Sequence, residues 1–191
     1  MRTTAAAMVC LAFALGSPSA QALEWRLGLS YASGLGDVTD LYEDNLENQG
    51  FNADVDLKFP IGVSLGATYD WESGLRADLG LGPAFFLEGD VDYFELPLTA
   101  TVGYNFAKGS DFAPFVRGGL AYHIGSGDFY ESASPGLFAA AGVDFTRLTV
   151  EVAADTAKVE FERTCAVGVD CDTTKKLSTY DIVLSVYWRF Y

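Results

Sequence analysis

The stretch from Tyr180 to Tyr191 constrains the fold most. One face carries Tyr180, Ile182, Leu184, Val186, Trp188 and Phe190. The other carries Asp181, Val183, Ser185, Tyr187 and Arg189. A period of two describes a β-strand whose sides meet different environments. A wholly apolar face with an aromatic finish fits lipid, and the mixed face fits a packed polar lumen.

The N-terminus reads as an export signal. Arg2 supplies the positive start, Ala5 to Leu15 the apolar run, and Ser19-Ala20-Gln21-Ala22 the small residues before cleavage, so residues 1–22 form the expected signal peptide. That run is too short to span a bilayer as a helix. Cys10 stands in a poor context for lipidation, since Ala7, Met8 and Val9 precede it and the apolar run continues past it. Cleavage leaves residues 23–191 as one domain. It removes one cation and no acid, leaving 11 Lys and Arg against 26 Asp and Glu, a net charge of −15. Such a balance excludes nucleic acid as a partner, because that binding needs a basic surface.

The mature sequence has no apolar run of transmembrane-helix length, yet half the residues are hydrophobic. A membrane protein without such a helix must close its strands into a barrel, since only closure satisfies every backbone polar group in lipid. The expected fold is all-β: a closed antiparallel transmembrane β-barrel of eight strands in an up-and-down meander. The expected strands are roughly Glu24–Ser33, Pro60–Trp71, Leu75–Glu88, Tyr93–Phe106, Pro114–Ile124, Gly136–Phe145, Leu148–Glu160 and the final stretch. The seventh loses its phase after Ala154, which predicts a bulge or an exit from the membrane. Long acidic connections alternate with short turns, as external loops alternate with periplasmic turns. The connection Gly89–Asp92 is the exception, being short where a long loop is expected.

Aromatic residues collect at strand ends, where amphipathic rings prefer the headgroup level. One expected belt contains Trp25, Trp71, Phe106, Phe115, Phe145, Trp188 and Phe190, and the other Tyr31, Phe85, Phe94, Tyr122 and Tyr180. The polar face separates a membrane barrel from a soluble one. It is built from small residues such as Gly28, Ser30, Gly66, Thr68, Gly80, Thr99, Gly103, Gly119 and Gly142. A water-facing surface would carry many Lys and Glu. A narrow eight-stranded lumen admits few large side chains.

The segments Phe94-Glu95-Leu96-Pro97-Leu98 to Gly103-Tyr104-Asn105-Phe106, Pro114-Phe115-Val116-Arg117-Gly118-Gly119-Leu120-Ala121-Tyr122, and Trp188-Arg189-Phe190 resemble the small eight-stranded outer-membrane β-barrel family. This is the type of the outer-membrane protein A membrane domain and of proteins X and W. The resemblance covers the mature chain and departs at its end, where Tyr191 follows the in-phase Phe190. It implies residence in the outer membrane of a Gram-negative cell envelope. The implied partners are outer-membrane lipids, lipopolysaccharide and, during insertion, the barrel-assembly machinery. A monomer is expected. With no further domain after the barrel, peptidoglycan anchoring by this chain is not expected.

The polar face also carries charges: Glu24, Arg26, Asp70, Arg76, Asp78, Glu95, Arg117, Asp144, Glu151, Asp155, Asp181 and Arg189. Charges facing a narrow lumen must pair or be hydrated. The expected function is therefore a structural or interaction protein with acidic external loops around a salt-bridged lumen. The alternative is a small, porin-like, cation-preferring pore, because acids outnumber arginines on that face.

Chemistry is not expected. His123, the only histidine, falls near the external rim with Ser126, Asp128 and Glu131 nearby. The set resembles the triad of barrel-type lipid A deacylases. Those place the serine two residues after the histidine on the same strand face, whereas Ser126 stands three residues on, inside Gly125-Ser126-Gly127. The expectation is a solvated rim histidine, no catalytic residue and no cofactor, with an outer-leaflet lipid enzyme as the least favoured reading. Asp37, Asp40, Glu43, Asp44 and Glu47 are oxygen donors without EF-hand spacing, so a solvated loop is expected there and no metal site. Cys165 and Cys171 bracket a short segment of an exported chain and are expected to form a disulfide that staples the loop. They lack a nearby histidine and make a poor zinc site.

Overall fold

The computed structural model describes residues 23–51, 61–87, 92–166, 168 and 172–190. The expected signal peptide and most of the Gly89–Asp92 connection lie outside these residues.

Eight strands close a barrel: β1 (Glu24–Ala32), β2 (Ile61–Asp70), β3 (Leu75–Leu87), β4 (Tyr93–Asn105), β5 (Phe112–Gly127), β7 (Gly136–Phe145), β8 (Leu148–Asp155) and β11 (Val183–Phe190). Neighbours pair antiparallel, and the seam is β1 against β11, with Trp25 opposite Phe190 and Ala32 opposite Val183. Closure leaves the barrel no unpaired edge, as lipid requires. The outer wall is apolar, with Leu29, Val63, Val102, Leu120, Leu137 and Val186 all at least half exposed.

Beyond one mouth stands a second layer. The helix α1 (Gly36–Asn48) faces a three-stranded sheet of β6 (Tyr130–Ser134), β9 (Lys158–Glu162) and β10 (Thr174–Leu177). The acids Asp37, Asp40, Glu43, Asp44 and Glu47 predict a solvated loop. The structure corrects this for α1: Val38, Leu41, Tyr42 and Leu46 recur at helical spacing and are buried. They pack against Tyr93, Val159, Phe161 and Leu177. Asp37, Asp40, Asp44 and Glu47 occupy the exposed face, with Glu43 half-buried. The charge density hides the apolar stripe between the acids.

The expected seventh strand is two. β8 ends at Asp155, and after Thr156–Ala157 the chain leaves the barrel as β9. The loss of phase marks this exit. After β5 the chain likewise leaves the barrel as β6, which pairs antiparallel with β9.

Three aromatic placements need correction. Phe85 is 4% exposed and faces inward. Pairing with β4 shifts register between Leu81 and Phe85, around Gly82 at φ +90°, so the phase set by Leu79 and Leu81 reverses. Tyr180 is also buried, because β11 starts only at Val183 and the strict period does not reach back to it. Phe115 shares the inward parity of Arg117, and its ring fills the space over Gly142. Trp25, Phe106, Phe145, Trp188 and Phe190 are exposed at the short-turn end, and Tyr31 and Tyr122 toward the cap.

Candidate functional site: the lumen and its external cap

Large inward side chains meet small ones across the ladder. A Cβ on Gly103 would stand 2.7 Å from Arg117 Cβ, and one on Gly142 would stand 2.6 Å from Phe115 Cζ. The glycines of the polar face are the room that lets arginines and aromatics fill a narrow interior.

At the short-turn mouth, Arg189 donates to Glu24 from Nε and Nη2 at 2.6 and 2.5 Å. Above it, Asp78 accepts from Arg26 Nη2 at 2.7 Å, from Arg76 Nε and Nη2 at 3.2 Å each, and from Thr68 Oγ1 at 2.7 Å. Arg76 Nη1 donates to Asp144 at 3.0 Å, and its guanidinium lies 4.2 Å from the Phe115 ring centroid. Asp70 lies 3.8 Å from Arg76. Arg117 donates to both oxygens of Glu151 and to Thr101 Oγ1 at 3.0 Å. A cavity of about 30 Å³ remains beside Arg26, Thr99, Arg117 and Tyr180. That is room for about one water.

Under the cap lies a separate node. His123 is fully buried, with Nδ1 2.7 Å from Glu95 Oε1 and Nε2 3.2 Å from Asp155 Oδ2. Two ring nitrogens each facing a carboxylate form the donor pattern of an imidazolium. Glu95 also accepts from Tyr93 Oη and Thr179 Oγ1, both at 2.6 Å. The Tyr180 ring stands 4.8 Å from the imidazole, and its hydroxyl donates to the Pro83 carbonyl at 2.8 Å. Residues 178–180 are thus a strap running from the cap sheet into the lumen.

The structure therefore brings Glu24, Arg26, Asp70, Arg76, Asp78, Glu95, Arg117, Asp144, Glu151, Asp155 and Arg189 into the interior. It does not bring Asp181, which is exposed because it precedes β11 in a bend. The solvated rim histidine is corrected to a buried, doubly engaged one, because the cap covers that rim. Ser126 is exposed and Asp128 accepts from the Asp92 amide at 2.9 Å, so neither joins His123. Thr179 and Tyr93 were not foreseen as its neighbours. Parity placed Glu95 and His123 inside, but nothing local reveals a partner 84 residues away in the chain. Cys171 lies outside the described residues, and no group of metal-binding side chains assembles among the described ones.

Polar contacts as well as apolar ones hold α1 to the barrel rim and to the cap sheet. Tyr42 Oη donates to the Asp128 carbonyl, and Asn45 Nδ2 to the Glu162 carbonyl at 2.8 Å. The Tyr42 ring lies 5.7 Å from Tyr93 and 5.3 Å from Phe129. Burial, then Asp128 and Glu95, pushes the Tyr42 phenol well above its ordinary range.

An apolar outer wall, a charged but paired interior and a closed eight-stranded sheet define a membrane-spanning barrel. The sequence profile of the outer membrane protein beta-barrel domain matches residues 4–190, and the chain belongs to that family. Its place is the outer membrane. Among solved structures it is similar to Neisserial surface protein A, at 15% identity and a TM-score of 0.48, covering 88% of this chain and 97% of that one. It is also similar to Ail of Yersinia pestis, solved with the heparin analogue sucrose octasulfate, at 13% identity and a TM-score of 0.43, covering 89% and 99%. The N-terminal barrel domain of Pseudomonas aeruginosa OprF matches at 10% identity and a TM-score of 0.37, covering 89% and 99%. No curated protein sequence matches the chain.

Proposed function

We infer that this protein is a structural or interaction barrel whose filled wall anchors a folded, acid-rich cap at the cell surface. One observation carries the reading: Arg26, Arg76, Arg117 and Arg189 each reach a carboxylate inside the barrel, and the cavity beside Arg26 and Arg117 is only about 30 Å³. A pore needs a continuous wet path, whereas an eight-stranded barrel is filled by its side chains. The exposed acids of α1 favour cationic partners or diffuse cation association over any anionic surface.

The same reading gives the protein no catalytic role, since His123 is engaged by Glu95 and Asp155, and the Thr179 hydroxyl 3.2 Å from its Nδ1 donates to Glu95. Membrane lipids, lipopolysaccharide and the assembly machinery are its proposed partners, and the monomer its proposed state. Cys165 and Cys171 are proposed to bridge and to staple the cap between β9 and β10.

Single-channel recording in planar bilayers tests the reading. The folded protein should add no conductance above leak. A steady cation-selective conductance would replace this reading with the small pore, and release of acyl chains from lipopolysaccharide would replace it with the lipid enzyme.

A further inference from the structure

One row of inward residues crosses four strands, from Arg26 to Gly66, Gly80 and Thr99, each the register partner of the one before. Two neighbouring glycines thus leave the wall beside Arg26 without side chains. Over Gly80 the space is taken, because a Cβ there would stand 2.4 Å from Thr99 Oγ1. Over Gly66 it is open. A Cβ on Gly66 would meet Arg26 Nε and Nη2 at 3.4 Å and the Leu79 carbonyl oxygen at 3.5 Å, all ordinary contacts. Gly66 differs in this from Gly28, Gly103, Gly119 and Gly142, where an added Cβ would come within 2.1 to 2.5 Å of a carbonyl oxygen. The cavity of about 30 Å³ touches both Arg26 and Gly66, with Thr99, Arg117, Glu151 and Asp155 also on its wall.

Arg26 is 2% exposed, yet only one of its three guanidinium nitrogens is used. Nη2 donates to Asp78, whereas Nε and Nη1 meet no acceptor among the described residues. Buried donors nearly always find a partner, because leaving one unmet forfeits its hydration with no return. An occupant of the cavity must accept from the guanidinium. It must also donate, because Glu151 and Asp155 face the same space. A halide only accepts, and it would lie against both carboxylates. A metal cation would lie against Arg26 and Arg117. Water does both, and the volume holds about one. Tyr180 closes the space toward the cap, with its ring on His123 and its hydroxyl on the carbonyl of Pro83, which also lines the cavity.

We propose that the space left by Gly66 is a binding site for one buried water, which accepts from Arg26 and donates to the carboxylates of the cavity wall. The site goes beyond the filled-barrel reading, since it makes one glycine and one water part of the filling. Gly66 is then kept for the water it admits and not for a close approach of backbone.

Solution NMR of the folded full chain in detergent micelles tests this through the Nε–H proton of Arg26. That proton should show a water cross-peak with NOE and ROE of opposite sign, which excludes proton exchange as its source. Gly66→Ser places a hydroxyl oxygen beside Arg26 and should abolish the cross-peak while leaving the barrel at least as stable as wild type in vesicle unfolding. Gly66→Ala fills the same space without an acceptor, and its unfolding equilibrium constant should exceed that of Gly66→Ser by about fivefold or more. Sodium bromide should leave the Arg26 signals unmoved. Lack of the water cross-peak in the wild type, a saturable shift with bromide, or equal stability of the two variants would each overturn the proposal. Should heat-modifiable gel migration show that neither variant folds, the wild-type cross-peak and the bromide titration decide it.

Discussion

Arg117 grips Glu151 in a two-pronged pair across the lumen, Nε to Oε2 at 2.8 Å and Nη2 to Oε1 at 2.7 Å, both side chains nearly excluded from solvent. Planar guanidinium and carboxylate match each other's geometry, so the pair fixes β5 against β8 in one arrangement. Its net contribution is small relative to an apolar substitute, because both charges leave water.

Breaking that pair from one side is a different matter. Glu151→Ala leaves Arg117 buried and unpaired, and should cost about 3–5 kcal/mol. The double substitution Arg117→Met with Glu151→Leu should recover most of it. Urea unfolding of the protein refolded in phospholipid vesicles, followed by tryptophan fluorescence, measures both. Equal losses in the single and double variants would refute the argument.

The barrel was legible because lipid on one side and a tight lumen on the other impose a strict period of two. Val116, Leu120 and Tyr122 against Arg117 and Ala121 need no long-range information to be sorted. Phe115 apart, whose inward parity the sequence already shows, what escapes the sequence lies where that period lapses. Phe85 follows a bulge, and Tyr180 belongs to a strap. α1 hides a four-residue apolar stripe among five acids. The charges were placed by parity, but their pairing was not, because Arg26 and Asp78 meet only through the closure of strands 52 residues apart.

The cap should unfold separately from the barrel. Leu41 is fully buried between α1 and the cap sheet. Leu41→Ala should weaken the cap by about 2–5 kcal/mol. Limited proteolysis should then cut α1 and the β9–β10 connection, while heat-modifiable migration of the barrel is unchanged. Reducing agent should enhance that cutting if Cys165 and Cys171 bridge. Simultaneous loss of the barrel's migration shift would show that cap and barrel are one cooperative unit.

Tyr42 adds a pH dependence to the same cap. Its folded phenol is pushed up, so in the alkaline range the unfolded cap gives up its proton first, near pH 10. Above that pH the unfolded state binds fewer protons and cap stability falls. Below it this contribution is constant. Tyr42→Phe should flatten the alkaline decline while lowering stability at neutral pH by about 0.5–1.5 kcal/mol, for its lost hydrogen bond to the Asp128 carbonyl. Proteolysis rates between pH 8 and 11 separate the two effects, and an alkaline decline unchanged in Tyr42→Phe would assign it to another group.

His123 ties three elements at one point: Glu95 on β4, Asp155 at the end of β8, and the strap through Thr179. His123→Phe keeps a ring against Tyr180 but leaves two carboxylates facing each other without a cation. Glu95→Gln with His123→Phe removes one of those charges. The single variant should expose the strap to protease near Thr179 and slow refolding yield of the cap, and the double variant should restore part of the protection. A single variant as protected as wild type would show that the strap is held by Tyr180 and its Pro83 hydrogen bond alone.

Gly142 tests the packing rule of the lumen without touching a charge. A Cβ there would lie 2.5 Å from the Val150 carbonyl oxygen and 2.6 Å from the Phe115 ring. The ring can be trimmed, but the carbonyl belongs to the β7–β8 ladder and cannot move without losing register. Gly142→Ala should therefore destabilise the barrel by about 1–3 kcal/mol. Adding Phe115→Ala should fail to rescue it, because the backbone clash persists and Arg76 loses the ring beneath it. Vesicle unfolding of the two variants decides this. A double variant more stable than Gly142→Ala would locate the conflict in the side chain and not in the ladder.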